Sequence, residues 1–80
     1  MLNNGLNNYG VCVYEWNYRL KVYTRIVTYY PSMKAARAHY DRIILSKDTP
    51  RVELLEYHYE GQALISDLIE ERGRHMKHDS

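Results

Sequence analysis

Histidine and cysteine are the side chains of this sequence that could carry chemistry. The histidines are His39, His58, His75 and His78, and Cys12 is the one cysteine. A catalytic thiol needs an imidazole within hydrogen-bond reach, and Cys12 with His58 is the pair that could provide it. Nothing local supports this pair, since a cysteine on a strand is usually a small buried apolar residue. We therefore predict that the protein is not an enzyme and has no catalytic residue.

Metal and cofactor sites are not indicated either. His75 and His78 are three residues apart, but no cysteine or carboxylate stands at a spacing diagnostic of a zinc site. The sequence contains no glycine-rich phosphate loop and no G-x-S-x-G motif. We expect no bound metal and no cofactor.

Tyrosine is the unusual component of the composition: the chain has nine Tyr, one Trp and no Phe. A core that needed only aromatic bulk could use Phe, which has no hydroxyl to satisfy when it is buried. Tyrosine suits a surface where one edge of the ring is packed and the other is wet. Tyr, Trp and Arg are also enriched at the centres of protein–protein interfaces. The composition thus favours a surface that binds another protein.

Two predicted strands come first in the part of the chain that must position these rings. The stretch "YGVCVYEWNY" from Tyr9 is rich in Val, Tyr and Trp, which favour strands. "LKVYTRIVTYY", residues 20–30, follows after a short turn near residues 17–19. Because this connection is too short for a crossover, we predict an antiparallel hairpin.

A helix follows the hairpin. Pro31 ends the second strand, and Ser32 is a good N-cap residue. Residues 33–46, "MKAARAHYDRIILS", have an apolar stripe with helical spacing. Its members are Met33, Ala36, Tyr40, Ile43 and Ile44.

A third strand, "RVELLEYHY", begins at Arg51 and ends before a tight turn at Glu60 and Gly61. Residues 63–71 are ambiguous: their apolar spacing suits a helix, whereas a short turn after a strand favours a returning strand. We predict a strand and keep the helix as the alternative. The fold class is then α+β, a small antiparallel sheet with one helix packed on one face, in the order ββαββ.

Strand alternation divides the sheet residues between two faces. The helix is expected to cover the aliphatic set, which is Val11, Val13, Val22, Ile26, Val52 and Leu54. The other face should carry Tyr14, Trp16, Tyr23, Tyr29, Leu55 and Tyr57, edged by Lys21, Arg25 and Glu53. From that face we predict the partner-binding residues Tyr14, Trp16, Tyr23, Arg25 and Tyr57.

Charge and length limit the function further. Residues 9–72 are predicted to form one domain, between a flexible lead at 1–8 and a polar tail at 73–80. The net charge is +1, with both signs interleaved, which disfavours a DNA mimic or a polyanion binder. No apolar run approaches the ~20 residues that span a bilayer, and the N-terminus lacks the features of a signal peptide. We expect a cytoplasmic protein without membrane contact.

The small size also predicts self-association. Without a disulfide or a metal, a domain of this length has little stability to spare, and large aromatic side chains are costly to leave in water. We therefore expect a homodimer when no other partner is bound. One alternative function is that of a small structural or regulatory dimeric protein. The other is a nucleic-acid-binding module that stacks bases on the aromatic face. Nucleic-acid binding is disfavoured by the balanced charge and by the absence of an RNP sequence pattern.

The order of elements also resembles a known class of proteins. "VCVYEWNYRLKVYTRIVTYYPSMKAARAHYDRII" and "RVELLEYHYEGQ" together give a hairpin, a capped helix and the start of a second hairpin. This layout resembles small ββαββ accessory proteins of phages and mobile elements, which include anti-CRISPR and other anti-defence proteins. The resemblance is one of architecture and carries over no functional residue. It implies an inhibitor that binds a protein of a host defence system stoichiometrically, in the host cytoplasm.

Overall fold

The computed structural model describes residues 8–76. Its elements are β1 (Tyr9–Asn17), β2 (Val22–Tyr30), α1 (Met33–Arg42), β3 (Arg51–Glu60) and β4 (Ala63–Gly73). All neighbouring strands are antiparallel, and the sheet order is β2-β1-β3-β4. The α+β fold class and the ββαββ order are confirmed, and the ambiguous last element is a strand.

The turn between β1 and β2 is longer than predicted. The side-chain oxygen of Asn17 accepts hydrogen bonds from the backbone N–H groups of Arg19 and Leu20, at 2.9 and 2.8 Å. Lys21 closes the turn with a φ of 59°, in the left-handed region. Because Asn side chains stabilise turns by bonding to the backbone that follows, this turn includes Leu20 and Lys21, and β2 begins at Val22.

Helix α1 has the predicted start but an earlier end. The Ser32 hydroxyl accepts a hydrogen bond from the N–H of Ala35 at 3.2 Å, so the predicted N-cap is confirmed. The helix ends at Arg42, four residues before the predicted end, and Ile44 is 86% exposed. The physical reason lies on β4: the Arg72 guanidinium donates hydrogen bonds to the carbonyls at the helix C-terminus, those of Tyr40 and Ile43. Carbonyls that a longer helix would bond internally are satisfied by this arginine.

The core lies between α1 and the two central strands. The cross-strand pairs Val11–Leu54 and Val13–Val52 face the helix, which contributes Ala36 and Tyr40. An α-helix is about 10 Å wide and strands are about 4.8 Å apart, so one helix covers roughly two strands. Most of the edge strand β2 therefore lies beyond it, although Tyr30 at the end of β2 packs against the core.

The prediction that α1 also covers Val22 and Ile26 is wrong. These two residues are 48% and 47% exposed, although they lie on the helix side of the sheet. The other four members of the predicted aliphatic set are buried in the core.

A β-bulge changes which β4 side chains face the helix. Leu54 pairs with Glu70 and the next residue, Leu55, pairs with Leu68, so Ile69 is an extra residue in β4. An extra residue reverses the alternation along the rest of its strand. Leu68 consequently lies opposite Leu55, on the face away from the helix, as does Leu64 opposite Tyr59.

The chain after β4 crosses the sheet on the face away from the helix. The N–H of Arg74 donates to the Pro50 carbonyl at 2.8 Å, and its guanidinium donates to the Tyr23 hydroxyl at 3.0 Å. Met76 packs on that same face. Gly73 permits this change of direction: its φ is 102°, and a Cβ atom there would stand 2.2 Å from the Pro50 carbonyl oxygen.

The predicted lead at 1–8 lies outside the described residues except for Asn8, and the predicted tail lies outside them from residue 77. Within residues 8–76, no helix has the length and apolar character needed to cross a bilayer.

Candidate protein-binding face

The face of the sheet away from α1 is called the open face here. Antiparallel pairing places directly opposed residues on the same face, and the pairs Trp16–Tyr23 and Tyr14–Arg25 both lie there. Tyr57 joins them from β3 by strand alternation. All five predicted binding residues are therefore on one face. That they bind a partner stays a prediction.

One aromatic cluster stands at the end of the open face near the β1–β2 turn. The rings of Trp16 and Tyr23 have centroids 4.9 Å apart at 67°, and those of Trp16 and Tyr18 are 6.5 Å apart at 90°. We call these three residues the Trp16 cluster. Edge-to-face pairs of this kind contribute about 0.5–1.5 kcal/mol beyond their buried area, so the rings hold each other in place.

The Trp16 cluster forms one wall of an open cleft. The cleft has a volume of about 320 Å³, and Lys47 and Asp48 line its other side. The Tyr18 hydroxyl donates a hydrogen bond to the Asp48 carboxylate, and this bond raises the pKa of Tyr18. The cleft thus has aromatic walls, and its one cation and one anion carry opposite charges.

A second aromatic cluster lies further along the face. The rings of Tyr29 and Tyr57 have centroids 5.4 Å apart, and we call this pair the Tyr29 cluster. Gly10 lies directly beneath it: a Cβ atom at Gly10 would stand 2.8 Å from the Tyr57 ring. The glycine therefore lets the ring lie flat across β1. Burial, followed by the neighbouring Tyr29 hydroxyl, raises the pKa of Tyr57 to about 12.

Exposed apolar side chains extend the Tyr29 cluster onto the second hairpin. Tyr59 and Leu64 form a cross-strand pair, and Leu68 lies beside Leu55. Tyr59, Leu64 and Leu68 are between 42% and 49% exposed. Sequence reasoning did not include these three residues in the site. Tyr59 could have been found by alternation along β3, whereas the positions of Leu64 and Leu68 depend on the bulge.

The centre of the open face is buried. Tyr14 is 3% exposed and, with Cys12 and Leu55, forms a small cluster on which Met76 packs. The Arg25 guanidinium lies 5.5 Å from the centre of the Tyr14 ring. Burial raises the pKa of both Tyr14 and Cys12. Tyr14 thus forms the floor of the face, and Arg25 is the exposed group above it.

Ion pairs neutralise the charges at this centre. The side chains of Arg51 and Glu53 are nearly buried and bond to each other at 2.8 Å. Glu53 also stands 3.7 Å from the Arg25 guanidinium, and Arg51 contacts the carboxylate of Glu71. The two arginines therefore share one acidic partner, Glu53.

The structure separates Cys12 from His58, the pair that sequence reasoning considered for nucleophilic catalysis. Cys12 lies on the open face, whereas His58 lies on the helix side, 3.3 Å from the carboxylates of both Glu60 and Asp67. A β-sheet stands between the thiol and the imidazole. No hydrogen bond between them is possible in this fold.

The other histidines are dispersed. The Nδ1 atom of His39 is 2.9 Å from the Tyr30 hydroxyl, and burial together with the charge of Arg42 lowers the pKa of His39. His75 is exposed, and His78 lies outside the described residues. In the part of the chain that the structure describes, no three His, Cys, Asp or Glu side chains are grouped so that they could hold a metal ion.

Comparison with known proteins found no match: no protein-family model, no curated protein and no solved structure corresponds to this chain. What defines the protein is a ββαββ fold with one face covered by a helix and one open face with two aromatic clusters.

Proposed function

We propose that the protein is a non-enzymatic binding module that docks its open face on a protein partner and acts by occupying the partner's surface. One observation carries the proposal: the open face has exposed large apolar side chains, such as Tyr18 and Leu68, at both ends of a neutralised centre. Exposed apolar area costs about 25 cal/mol per Å² in water, and a contiguous patch of it usually marks an interaction site.

The open face is also organised before any partner binds. The rings within the Trp16 cluster pack against each other, as do those within the Tyr29 cluster, and Gly10 leaves the space in which the Tyr57 ring lies. Side chains that are already ordered lose little conformational entropy when a complex forms. Tyr and Trp in such settings are the residues that most often dominate the binding energy of protein interfaces.

Nucleic-acid binding is the alternative function for the same rings. Affinity for nucleic acid comes largely from free cations that replace counterions on phosphates. On the open face, however, Arg25 and Arg51 share Glu53, and Arg51 also contacts Glu71. A phosphate would have to compete with these carboxylates for Arg25 and Arg51, and this competition favours a protein partner.

The resemblance to phage and mobile-element accessory proteins suggests which partner. We propose a protein of a host defence system, bound one to one in the host cytoplasm, as the target of the open face. Stoichiometric binding requires no catalytic residue. It also fits the separation of Cys12 from His58 by the sheet.

Site-specific photo-crosslinking tests the proposed function. A photoreactive amino acid is placed at Leu68, on the open face, and in a matched variant at Ala38, which is exposed on the helix. Each variant is irradiated in an extract of host cells treated with nuclease. We expect an adduct with one host protein at Leu68, suppressed by excess unmodified chain, and none at Ala38.

Two results would count against the proposal. One is equal adduct formation at Leu68 and Ala38, which would mean that the open face is not the docking surface. The other is salt-sensitive, micromolar binding to single-stranded oligonucleotides, since affinity for nucleic acid should fall steeply between about 50 and 200 mM salt. A contact centred on tyrosines should change little over that range.

A further inference from the structure

The outer edge of β2 is open in this fold. β2 is the first strand of the sheet order, and no backbone group among residues 8–76 bonds to its outer side. Edge strands expose unpaired N–H and C=O groups, and proteins protect them with charges, prolines or bulges. β2, "VYTRIVTYY", has nine residues with one charge, Arg25, and pairs with β1 without a bulge.

The opposite edge is protected. β4 contains a bulge at Ile69 and several charged residues, which are Asp67, Glu70, Glu71 and Arg72. The two edges therefore differ in the features that prevent strand pairing between molecules. β2 is the edge at which another strand can be added.

The sequence of β2 indicates which strand that is. Residues 23–29, "YTRIVTY", have the same residues in both directions except for Arg25 and Val27. We propose that β2 pairs with β2 of a second copy of this chain, antiparallel and about a two-fold axis at Ile26. In this register Ile26 meets its own counterpart, Tyr23 meets the partner subunit's Tyr29, and Thr24 meets the partner subunit's Thr28. Like residues thus stand opposite each other without two like charges.

The direction of the peptide groups fits this register. The N–H of Trp16 donates to the Asp48 carbonyl at 2.8 Å, and the Asn8 carbonyl accepts from Tyr57 at 2.7 Å, both on the β3 side of β1. Peptide groups alternate sides along a strand, so the odd-numbered residues of β1 bond to β2. Their partners on β2 are the even-numbered residues, for example Ile26 opposite Val13.

The odd-numbered residues of β2 consequently direct their N–H and C=O groups outward. These are Tyr23, Arg25, Val27 and Tyr29. The proposed register pairs outward residues with outward residues, as an antiparallel ladder requires. A shift of one residue would break this match. A shift of two residues in one direction would place two arginines opposite each other, and in the other direction it would leave Val22 and Tyr23 unpaired.

The dimer would cover part of the apolar surface that α1 leaves exposed. Val22 and Ile26 lie on the helix side of β2, and their apolar surface would face the partner subunit. On the open face, Tyr23 would stand beside the partner subunit's Tyr29, so the Trp16 cluster of one copy would join the Tyr29 cluster of the other. The second consequence rests on the proposed function, because the open faces of the two copies would then form one continuous binding surface.

Mass measurement tests the pairing. Light scattering behind a sizing column should give twice 9.6 kDa for the wild type. Ile26→Lys and Ile26→Glu should each give a monomer, because like charges would stand directly opposite, and a mixture of the two variants should give a dimer. Leu68→Lys is the matched control: Leu68 is as exposed as Ile26 but lies on β4, so this variant should remain dimeric.

Disulfide trapping tests the register, including the case in which Ile26→Lys fails to fold. Ile26 is in a non-hydrogen-bonded position, where opposed Cα atoms are about 4.5 Å apart and can be bridged. Ile26→Cys should form a disulfide-linked dimer with oxidised glutathione, and the wild type should not, since Cys12 is buried. Thr24→Cys alone should not crosslink, but a mixture of Thr24→Cys and Thr28→Cys should.

Three results would overturn the inference. They are a wild-type monomer at high concentration, a dimer that Ile26→Lys leaves intact, and crosslinking of Thr24→Cys alone that is faster than that of Ile26→Cys. None of them would touch the proposed function, because the photo-crosslink at Leu68 reports on β4, at the opposite edge of the sheet from β2.

Discussion

The two faces of the sheet are stabilised in different ways. The helix side is an aliphatic core of Val11, Val13, Val52 and Leu54, closed by α1. The open face has a centre of paired charges and buried rings, and its periphery is aromatic and partly exposed. A chain that can place only one helix on its sheet can form one conventional core. The periphery of the second face then remains in water, and we propose that this face binds the partner.

The difference between the two faces explains much of the preference for tyrosine over phenylalanine. On the open face the hydroxyls of Tyr18 and Tyr23 bond to Asp48 and Arg74, while their rings pack together with Trp16. Tyr40 is the contrasting case. It is fully buried on the helix side, and its hydroxyl has no hydrogen-bond partner among the described residues.

The largest expected effect is a difference in the free energy of unfolding between a substitution on the helix side and one on the open face. Leu54→Ala removes a fully buried side chain on the helix side and should lower the free energy of unfolding by about 2–5 kcal/mol. Leu68→Ala, at an open-face position that is 49% exposed, should lower it by less than about 1 kcal/mol. Urea denaturation followed by circular dichroism measures both. Equal losses would show that the open face is as much a core as the helix side.

The next effect concerns the ion pairs at the centre of the open face. Glu53→Gln leaves the nearly buried Arg51 with Glu71 as its acidic partner and should cost about 2 kcal/mol. Glu70→Gln is the control, since the Glu70–Arg37 pair is exposed and should contribute less than about 1 kcal/mol. The same denaturation assay compares them. Similar values for both variants would mean that the centre is solvated like an ordinary surface.

A pH dependence should appear at the Tyr29 cluster. The folded-state pKa of Tyr57 is about 12, above the ordinary value of 10, so the folded protein keeps this proton after the unfolded chain has lost it. Stability from this difference is complete below pH 10 and is lost as the pH rises through about 12. The stability of wild type minus that of Tyr57→Phe should therefore decrease between pH 10 and 12. A constant difference over that interval would show that the ring is not buried.

The smallest effect is expected at Tyr40. A buried hydroxyl without a hydrogen bond is unfavourable, so Tyr40→Phe should leave the free energy of unfolding unchanged or raise it by up to about 1 kcal/mol. Tyr23→Phe, which removes a hydroxyl bonded to Arg74, is the comparison and should lower it slightly. A clear loss of stability in Tyr40→Phe would mean that its hydroxyl has a partner.

Local signals predicted most of the fold. Alternation along β1 and β3, the N-cap at Ser32 and a tight turn that includes Gly61 are short-range features, and the structure agrees with them, although Glu60 belongs to β3. The end of the helix was not predictable, because Arg72 supplies the hydrogen bonds from a strand 29 residues further along the chain. The exposure of Val22 was missed because it depends on the strand order, which the local pattern does not contain.

For the candidate site, the sequence predicted on which face of the sheet its residues lie. Strand parity placed Trp16, Tyr23 and Tyr57 together without any long-range information. The burial of Tyr14 depends on contacts from Arg25 and Met76, and the exposure of Leu68 depends on the bulge, so neither follows from alternation.

The central claim is that the helix side stabilises the protein and the open face binds a partner. Isothermal titration of the host protein captured through Leu68 tests it most directly, with Trp16→Ala and Tyr57→Ala on the open face and Lys34→Ala on the exposed side of α1. We predict that each open-face variant weakens binding at least tenfold, as interface aromatics usually do, and that Lys34→Ala binds like the wild type. Unchanged affinity in both open-face variants, or a loss confined to Lys34→Ala, would contradict the account.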